Sequence, residues 1–248
     1  MMFRYFIELS YRGTNYSGWQ RQRQGISVQG VVEKSLSIIL RSDIKITGCG
    51  RTDAGVHAKQ YFAHFDFDEI GNINELVFKL NSILPEDISI NNILKVNNDI
   101  HARYDAISRT YEYYISNKKN PFRNEFVWQL AYNLDIEKMN EAAGILKSYS
   151  DFTCFAKLHS SNKTNICKIF EAKWYYEDNL IVFRIKANRF LRNMVRAIVG
   201  AHVDIGRGKL NINDYRQMIE TKNRKLASSS APAKGLFLSN VEYPLLLK

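Results

Sequence analysis

"CKIFEAKWYYEDNLIVFRIKA" (residues 167–187) holds two alternating runs, "CKIFEAKWYY" (167–176) and "LIVFRIKA" (180–187), separated only by Glu177 to Asn179. Successive side chains of a strand point to opposite faces, so this alternation marks strands. Three residues leave no room for a crossover helix, and the pair reads as an antiparallel hairpin joined by a tight turn.

Outward from the hairpin, the second half continues to mix strands and helices. A long aromatic strand, "RYDAISRTYEYYISN" (103–117), comes before it. A helix over about 135–147 follows that strand, with Ile136, Met139, Ala143 and Leu146 on one face. After the hairpin a helix begins near Phe190, another runs over about 212–222, and "GLFLSNVEY" (235–243) reads as a closing strand. The first half has a similar rhythm. "RYFIELSY" (4–11), "IKIT" (44–47), "QYFAHFDF" (60–67) and "DISINNILKV" (87–96) read as strands. Ser27 is a candidate N-cap for a helix through Arg41, and a second helix covers about 73–83. Helices do not separate every neighbouring pair of strands, so the class expected is α+β with a mostly antiparallel sheet. No linker divides the halves. "ASSSAPAKG" (227–235) comes closest and reads as a surface loop, so two subdomains packed together are expected.

The 248 residues, 45% of them apolar, suffice for a sizeable core. No run of about 18 apolar residues occurs, which argues against a membrane span. The start, "MMFRYFIELSYRG", alternates and lacks the features of a signal peptide, so a cytoplasmic protein is expected. The formal net charge of +10 favours an anionic partner, nucleic acid first among them, although charge alone also fits a soluble basic enzyme. Cys49, Cys154 and Cys167 are odd in number and widely spread. They indicate neither a disulfide framework nor a zinc site, and read as packing residues.

Three stretches carry candidate chemistry. In "GCGRTDAGVHA" (48–58) a lone acid, Asp53, sits among small neighbours two residues after Arg51. An ordinary turn after a strand explains the composition equally well, whereas a phosphate loop does not, since neither of its fingerprints is present. A guanidinium nearby favours the ionised form of a carboxylate, which suits a nucleophile or base. In "NRFLRNMVRAIVGAHV" (188–203), Arg189, Arg192 and Arg196 share one face of the expected helix, with no acid in the stretch to neutralise them. A solvated basic face is the bland account. Yet Ala197, Gly200 and Ala201 fit a helix buried on most sides, with its arginines facing anions. In "SRTYEYYISN" (108–117), Tyr111 and Tyr113 point to one side of a strand and Tyr114 to the other. They serve either as core or, with Arg109, as a stacking platform for a base. Smaller basic clusters stand at Arg21/Arg23, Lys118/Lys119/Arg123 and Lys222/Arg224/Lys225, together an RNA-sized footprint.

"YRGTNYSGWQRQ", "GRTDAGVHA", "HARYDAISRTYEYYI", "DFTCFAK", "NRFLRNMVRAIVG" and "APAKGLFLSNVEY" together span nearly the whole chain. In that order they resemble the TruA family, tRNA pseudouridine synthases acting on the anticodon arm at tRNA positions 38 to 40. The resemblance implies that Asp53 is the catalytic aspartate, that Tyr111 stacks on the target base and that Arg196 pairs with the acid. It further implies that Arg51 helps place the flipped nucleotide and that Leu236 makes an apolar contact to the base. Arg21, Arg23, Arg109, Arg189 and Arg192 are then expected RNA contacts. The implied fold is two ferredoxin-like halves sharing a central sheet, with the active cleft between them. Residues 1–103 would carry the acid; residues 104–248 would carry Tyr111, Arg196 and the dimer interface. The family implies a tRNA-binding homodimer without metal or organic cofactor. One departure is Arg12, in "YRGT", where the family usually has an acid; it bears on local RNA contacts. Two other classes compete: a non-catalytic RNA-binding module, which leaves Asp53 without a role, and a hydrolase, for which no general acid or metal partner is evident.

Overall fold

The computed structural model describes residues 1–157, 164–223 and 228–244. Its contacts divide the chain into two compact units: Met1–Ile107 together with the segment from Leu238 onward, and Ser108–Phe237. Both are α+β with mostly antiparallel pairing, the class expected.

The first unit runs β1 (Phe3–Tyr11), α1 (Val28–Leu40), β2 (Thr47–Gly48), β3 (His57–Phe67), α2 (Ile73–Ile83) and β4 (Ile88–Val96). β1 pairs antiparallel with β3 on one side and β4 on the other, and β2 pairs antiparallel with β3. A βαββαβ chain in the order β4-β1-β3-β2 is the ferredoxin-like arrangement. Helix α1 starts where the sequence places it: the Ser27 side chain accepts from the Gly30 N–H at 3.2 Å.

The second unit repeats the plan with β5 (Ser108–Ser116), β6 (Trp128–Gln129), α3 (Ile136–Ile145), β7 (Ile169–Glu177), β8 (Leu180–Ala187), α4 (Met194–Gly206) and α5 (Ile212–Glu220). Its antiparallel order is β5-β8-β7, and the short β6 pairs in parallel with the end of β5. The β7–β8 hairpin turns on Asp178 and Asn179, with φ of 47° and 64°. Two positive φ values in a two-residue loop match the strand twist, and Asp and Asn tolerate them best among non-glycine residues. Strand β9 (Leu236–Glu242) follows, and its residues from Leu238 lie beside β3 in the first unit. Just beyond it Tyr243 covers Phe6 and Phe62 edge-on, at 5.4 and 5.3 Å between ring centroids.

Four boundaries depart from expectation, the simplest being β3, which begins three residues early at His57. The stretch "IKIT" contributes only Thr47 to a strand. The Ile44 N–H donates to Ser37 Oγ at 2.9 Å, and the Ile46 N–H to Glu33 Oε1 at 3.1 Å. Side chains of α1 thus satisfy amides that a ladder would otherwise use. The aromatic strand starts at Ser108, because residues 101–105 close a turn in which the Asp105 N–H donates to the His101 carbonyl at 3.1 Å. Helix α4 starts at Met194, not near Phe190. Its N-cap, Asn193, has φ 66°, a left-handed conformation that no helix passes through. Arg189 and Arg192 therefore precede the helix, and the shared arginine face is corrected to Arg196 alone.

The expectation that α4 is buried holds: among its residues only Arg196 and Asp204 are not. At its centre lies His202, fully buried, accepting from Trp174 Nε1 at Nδ1 (3.0 Å) and meeting the Tyr215 hydroxyl at Nε2 (2.9 Å). Indole only donates, so Nδ1 carries no proton and the neutral ring donates from Nε2 to Tyr215. Burial pushes its pKa down to about 3. The unfolded chain protonates this histidine near pH 6.5 and the folded chain does not, so stability is full above that pH and falls as pH drops below it. Between pH 7 and 5 the loss from His202 comes to about 2 kcal/mol. Urea unfolding at the two pH values is expected to show it, and His202→Gln to reduce the difference.

Candidate active site

Asp53 stands in the loop between β2 and β3. Its carbonyl accepts from the Val56 N–H at 3.2 Å, closing a turn whose third residue, Gly55, has φ 77°. A type II turn requires a positive φ at that position. Residues 11–19 hold this turn from behind. The Trp19 N–H donates to the Thr52 carbonyl at 3.3 Å, and the Gly55 N–H to the Tyr16 carbonyl at 3.3 Å. The Gly13 N–H donates to His57 Nδ1 at 3.1 Å, and the Tyr11 and Thr52 hydroxyls meet at 2.9 Å. Tyr16 in turn donates through its hydroxyl to Asp87, and Tyr61 through its hydroxyl to the Gly50 carbonyl at 2.6 Å. Asp53 is thereby half-buried on a braced backbone, while Arg51 is exposed on the same loop. Arg12 reaches the Glu86 carboxylate at 3.8 Å.

This brace escaped the sequence reading, and its signal was the glycine pair of "YRGTNYSGW". Gly18 has φ 98°, and a Cβ there would run into the Thr52 carbonyl and the Asp53 backbone; one at Gly13 would strike the Val56 carbonyl. Gly50, inside the acid's own motif, meets nothing within 4 Å. Gly18→Ala is therefore expected to cost about 1–3 kcal/mol in stability, against less than about 0.5 kcal/mol for Gly50→Ala. Thermal unfolding of the two variants measures the contrast.

The basic residues of the first unit differ from one another. Arg23 is exposed. Arg21 pairs at 3.1 Å with Glu33, a buried carboxylate that also accepts from the Ile46 and Gln29 amides. Its charge already offsets a buried acid, a structural duty absent from the sequence reading.

In the second unit, Tyr111 and Tyr113 lie on one face of β5 as expected, and burial separates them. Tyr113 is fully buried and donates to the Pro232 carbonyl at 2.8 Å. Tyr111 is half-buried, with its ring edge-on to Phe190 at 5.1 Å. Tyr114, on the other face, donates to Glu112 at 2.7 Å. Arg109 donates to the Asn188 carbonyl at 2.9 Å, Arg192 is exposed and Arg189 is half-buried. Leu236, buried, opens β9.

Arg196 is held from both ends. Its Nε donates to the Ala231 carbonyl at 2.7 Å, and its own carbonyl accepts from the Ala231 N–H at 2.9 Å. Asn193 Nδ2 donates to Ser230 Oγ at 2.6 Å, and Gly200 lacks the Cβ that would strike the Ser229 carbonyl. The segment expected as a surface loop is thus clasped from Ser229 to Ala231 onto α4 and its N-cap, a few residues before Leu236. Of the Lys222/Arg224/Lys225 cluster, Lys222 pairs with Asp151 at 2.8 Å; Arg224 and Lys225, like Ala227 at the loop's start, lie outside the described residues. The three cysteines are buried and form no disulfide. Among the described residues, no three of His, Cys, Asp and Glu gather as metal ligands, and no helix is long and apolar enough to cross a membrane.

Comparison with known proteins points one way. A family model described as tRNA pseudouridine synthase matches residues 146–244. The chain is 54% identical over 243 residues to a tRNA pseudouridine synthase A of Azobacteroides pseudotrichonymphae, covering 98% of each chain. It is 53% identical to one of Bacteroides fragilis, covering 97% of this chain and 96% of that one. A third, of Dictyoglomus thermophilum, is 37% identical over 98% of this chain and 100% of its own.

Proposed function

The chain belongs to the tRNA pseudouridine synthase A family and is an isomerase acting on tRNA uridine, and from that premise we propose that Asp53 carries the chemistry. The target is a uridine extruded from the anticodon arm, at tRNA positions 38 to 40. The reaction breaks the bond between N1 and C1′, turns the uracil and joins C5 to C1′; C5 gives up its proton to solvent and N1 takes one up, so the product is an isomer. Extrusion costs a few kcal/mol, of which stacking on Tyr111 returns about 1–3 kcal/mol. Leu236 supports the base, Arg51 places the nucleotide, and Arg196 faces the acid and stabilises its charge. The ionised carboxylate has two tasks open to it, attack at C1′ or removal of a ribose proton to give a glycal. Arg23, Arg109, Arg189 and Arg192 serve as phosphate contacts, Arg21 from its pair with Glu33. The working form is a cytoplasmic homodimer whose interface lies in the C-terminal half.

One observation carries the reading: a half-buried carboxylate on a turn braced by glycines that admit no side chain. Such fixation suits a group that must meet one atom of a bound sugar. Incubation with tRNA carrying C5-tritiated uridine tests it. Isomerisation releases one tritium per turnover and leaves the chain intact; an abasic site would mean hydrolysis, and no release with tight binding would mean a binding module.

A further inference from the structure

The basic cluster Lys118/Lys119/Arg123 surrounds a residue whose position is unusual. Phe122, in the loop between β5 and β6, is 91% exposed. Lys118, Lys119 and Arg123 beside it are also exposed, against one carboxylate of the loop, Glu125. Single exposed apolar residues are ordinary on protein surfaces and by themselves mean nothing. This ring, however, is presented by a built loop. The Phe122 N–H donates to Asn120 Oδ1 at 2.9 Å, and the Arg123 N–H to the Asn120 carbonyl at 3.2 Å. The Ser116 hydroxyl donates to the Lys118 carbonyl at 2.8 Å, and Lys234 Nζ to Asn124 Oδ1 at 3.2 Å. At its base Phe126 packs by Phe237, 6.3 Å between centroids, and Phe237 meets Tyr114 edge-on at 5.3 Å. These bonds hold the loop's backbone and base, and the Phe122 ring projects from its tip.

A second copy of the chain is a poor partner for this tip, since the copy carries a net charge of +10 and the tip is itself cationic. A partner that joins flat apolar faces to regular negative charge fits both features. We propose that Phe122 stacks on an unpaired base of the bound tRNA while Lys118, Lys119 and Arg123 contact the flanking phosphates. The inference rests on the tRNA reading above. The base is not the reacting one: Ser116, where the loop begins, is five strand residues beyond Tyr111, roughly 17 Å along β5. The loop therefore grips the RNA several nucleotides from the extruded uridine.

The test measures tRNA affinity of the full-length protein by fluorescence anisotropy. Phe122→Ala is expected to weaken binding about tenfold or more, the loss of one base stacked on an aromatic ring. Phe122→Leu should weaken it comparably, because leucine keeps apolar bulk without a π face. Phe122→Trp should retain affinity, with its emission changing on addition of tRNA. Wild-type affinity in the Ala variant overturns the proposal. So does wild-type affinity in the Leu variant, which assigns the ring to an apolar protein contact; a lower sedimentation coefficient for Phe122→Ala would make that contact a second copy. Failure of the wild-type protein to bind tRNA at all would remove the tRNA reading as well, which separates the two failures.

Discussion

Asp53→Asn is expected to lower pseudouridine formation by at least about 10⁴-fold while changing tRNA affinity no more than a few-fold. Asparagine has nearly the same shape, and the Val56 N–H bonds to the backbone carbonyl of residue 53, which the substitution keeps. What disappears is the negative charge, and with it the basicity and nucleophilicity that either chemical route needs. Asp53→Glu keeps both but extends the reach by one methylene on a fixed backbone. A misplacement of about 1 Å can cost about 10²-fold, and a loss of that order is expected here. Single-turnover assays with excess enzyme separate the chemical step from binding. Turnover by Asp53→Asn at the wild-type rate would remove Asp53 from the mechanism.

Arg196→Ala is the second large effect, expected to lower the chemical rate about 10²- to 10³-fold, the scale for losing one positioned charge-stabilising group. Two things are lost together, the cation assigned to the acid and the Nε hydrogen bond to Ala231. The backbone bond from the Ala231 N–H to the Arg196 carbonyl survives any side chain, so the clasp loosens and does not open. Stability should fall by about 1–2 kcal/mol. Arg196→Lys restores the charge without the planar fork and should recover only part of the rate. Asn193→Ala serves as the control. It removes the clasp's bond to Ser230 and leaves the guanidinium, so it should lower stability with a far smaller effect on rate. An arginine acting only on phosphates would behave otherwise, lowering affinity and the salt slope together by about one counterion.

Much of the fold was legible because the elements advertise themselves locally. The β7–β8 hairpin alternates over both strands and turns on the two residue types that accept positive φ. Ser27 caps α1 as its side-chain chemistry dictates. The misreadings fall where a distant partner decides. Ile44 and Ile46 look like strand residues, but Ser37 and Glu33 reach them first from α1. Asn193 in the left-handed region ends a helical pattern that Phe190 and Leu191 would otherwise begin, and takes two arginines off the helix. Trp128 and Gln129 form a strand too short for any periodicity.

The site divides the same way. Asp53 was visible as a lone acid on an open backbone, and Tyr111 as one of two tyrosines on a face. Burial then separates Tyr111 from Tyr113, a distinction that alternation cannot make. The brace from residues 11–19 and the clasp on Arg196 consist of main-chain and side-chain hydrogen bonds between segments far apart in sequence. Their only local trace is glycine where nothing larger fits: Gly13, Gly18 and Gly200.

Mapping pseudouridine in tRNA from a strain lacking this protein, complemented with wild type or with Asp53→Asn at equal abundance, puts the central assignment to its most direct trial. Pseudouridine should vanish from the anticodon arm, return with the wild-type chain and stay absent with the variant. Its return with Asp53→Asn would contradict the account.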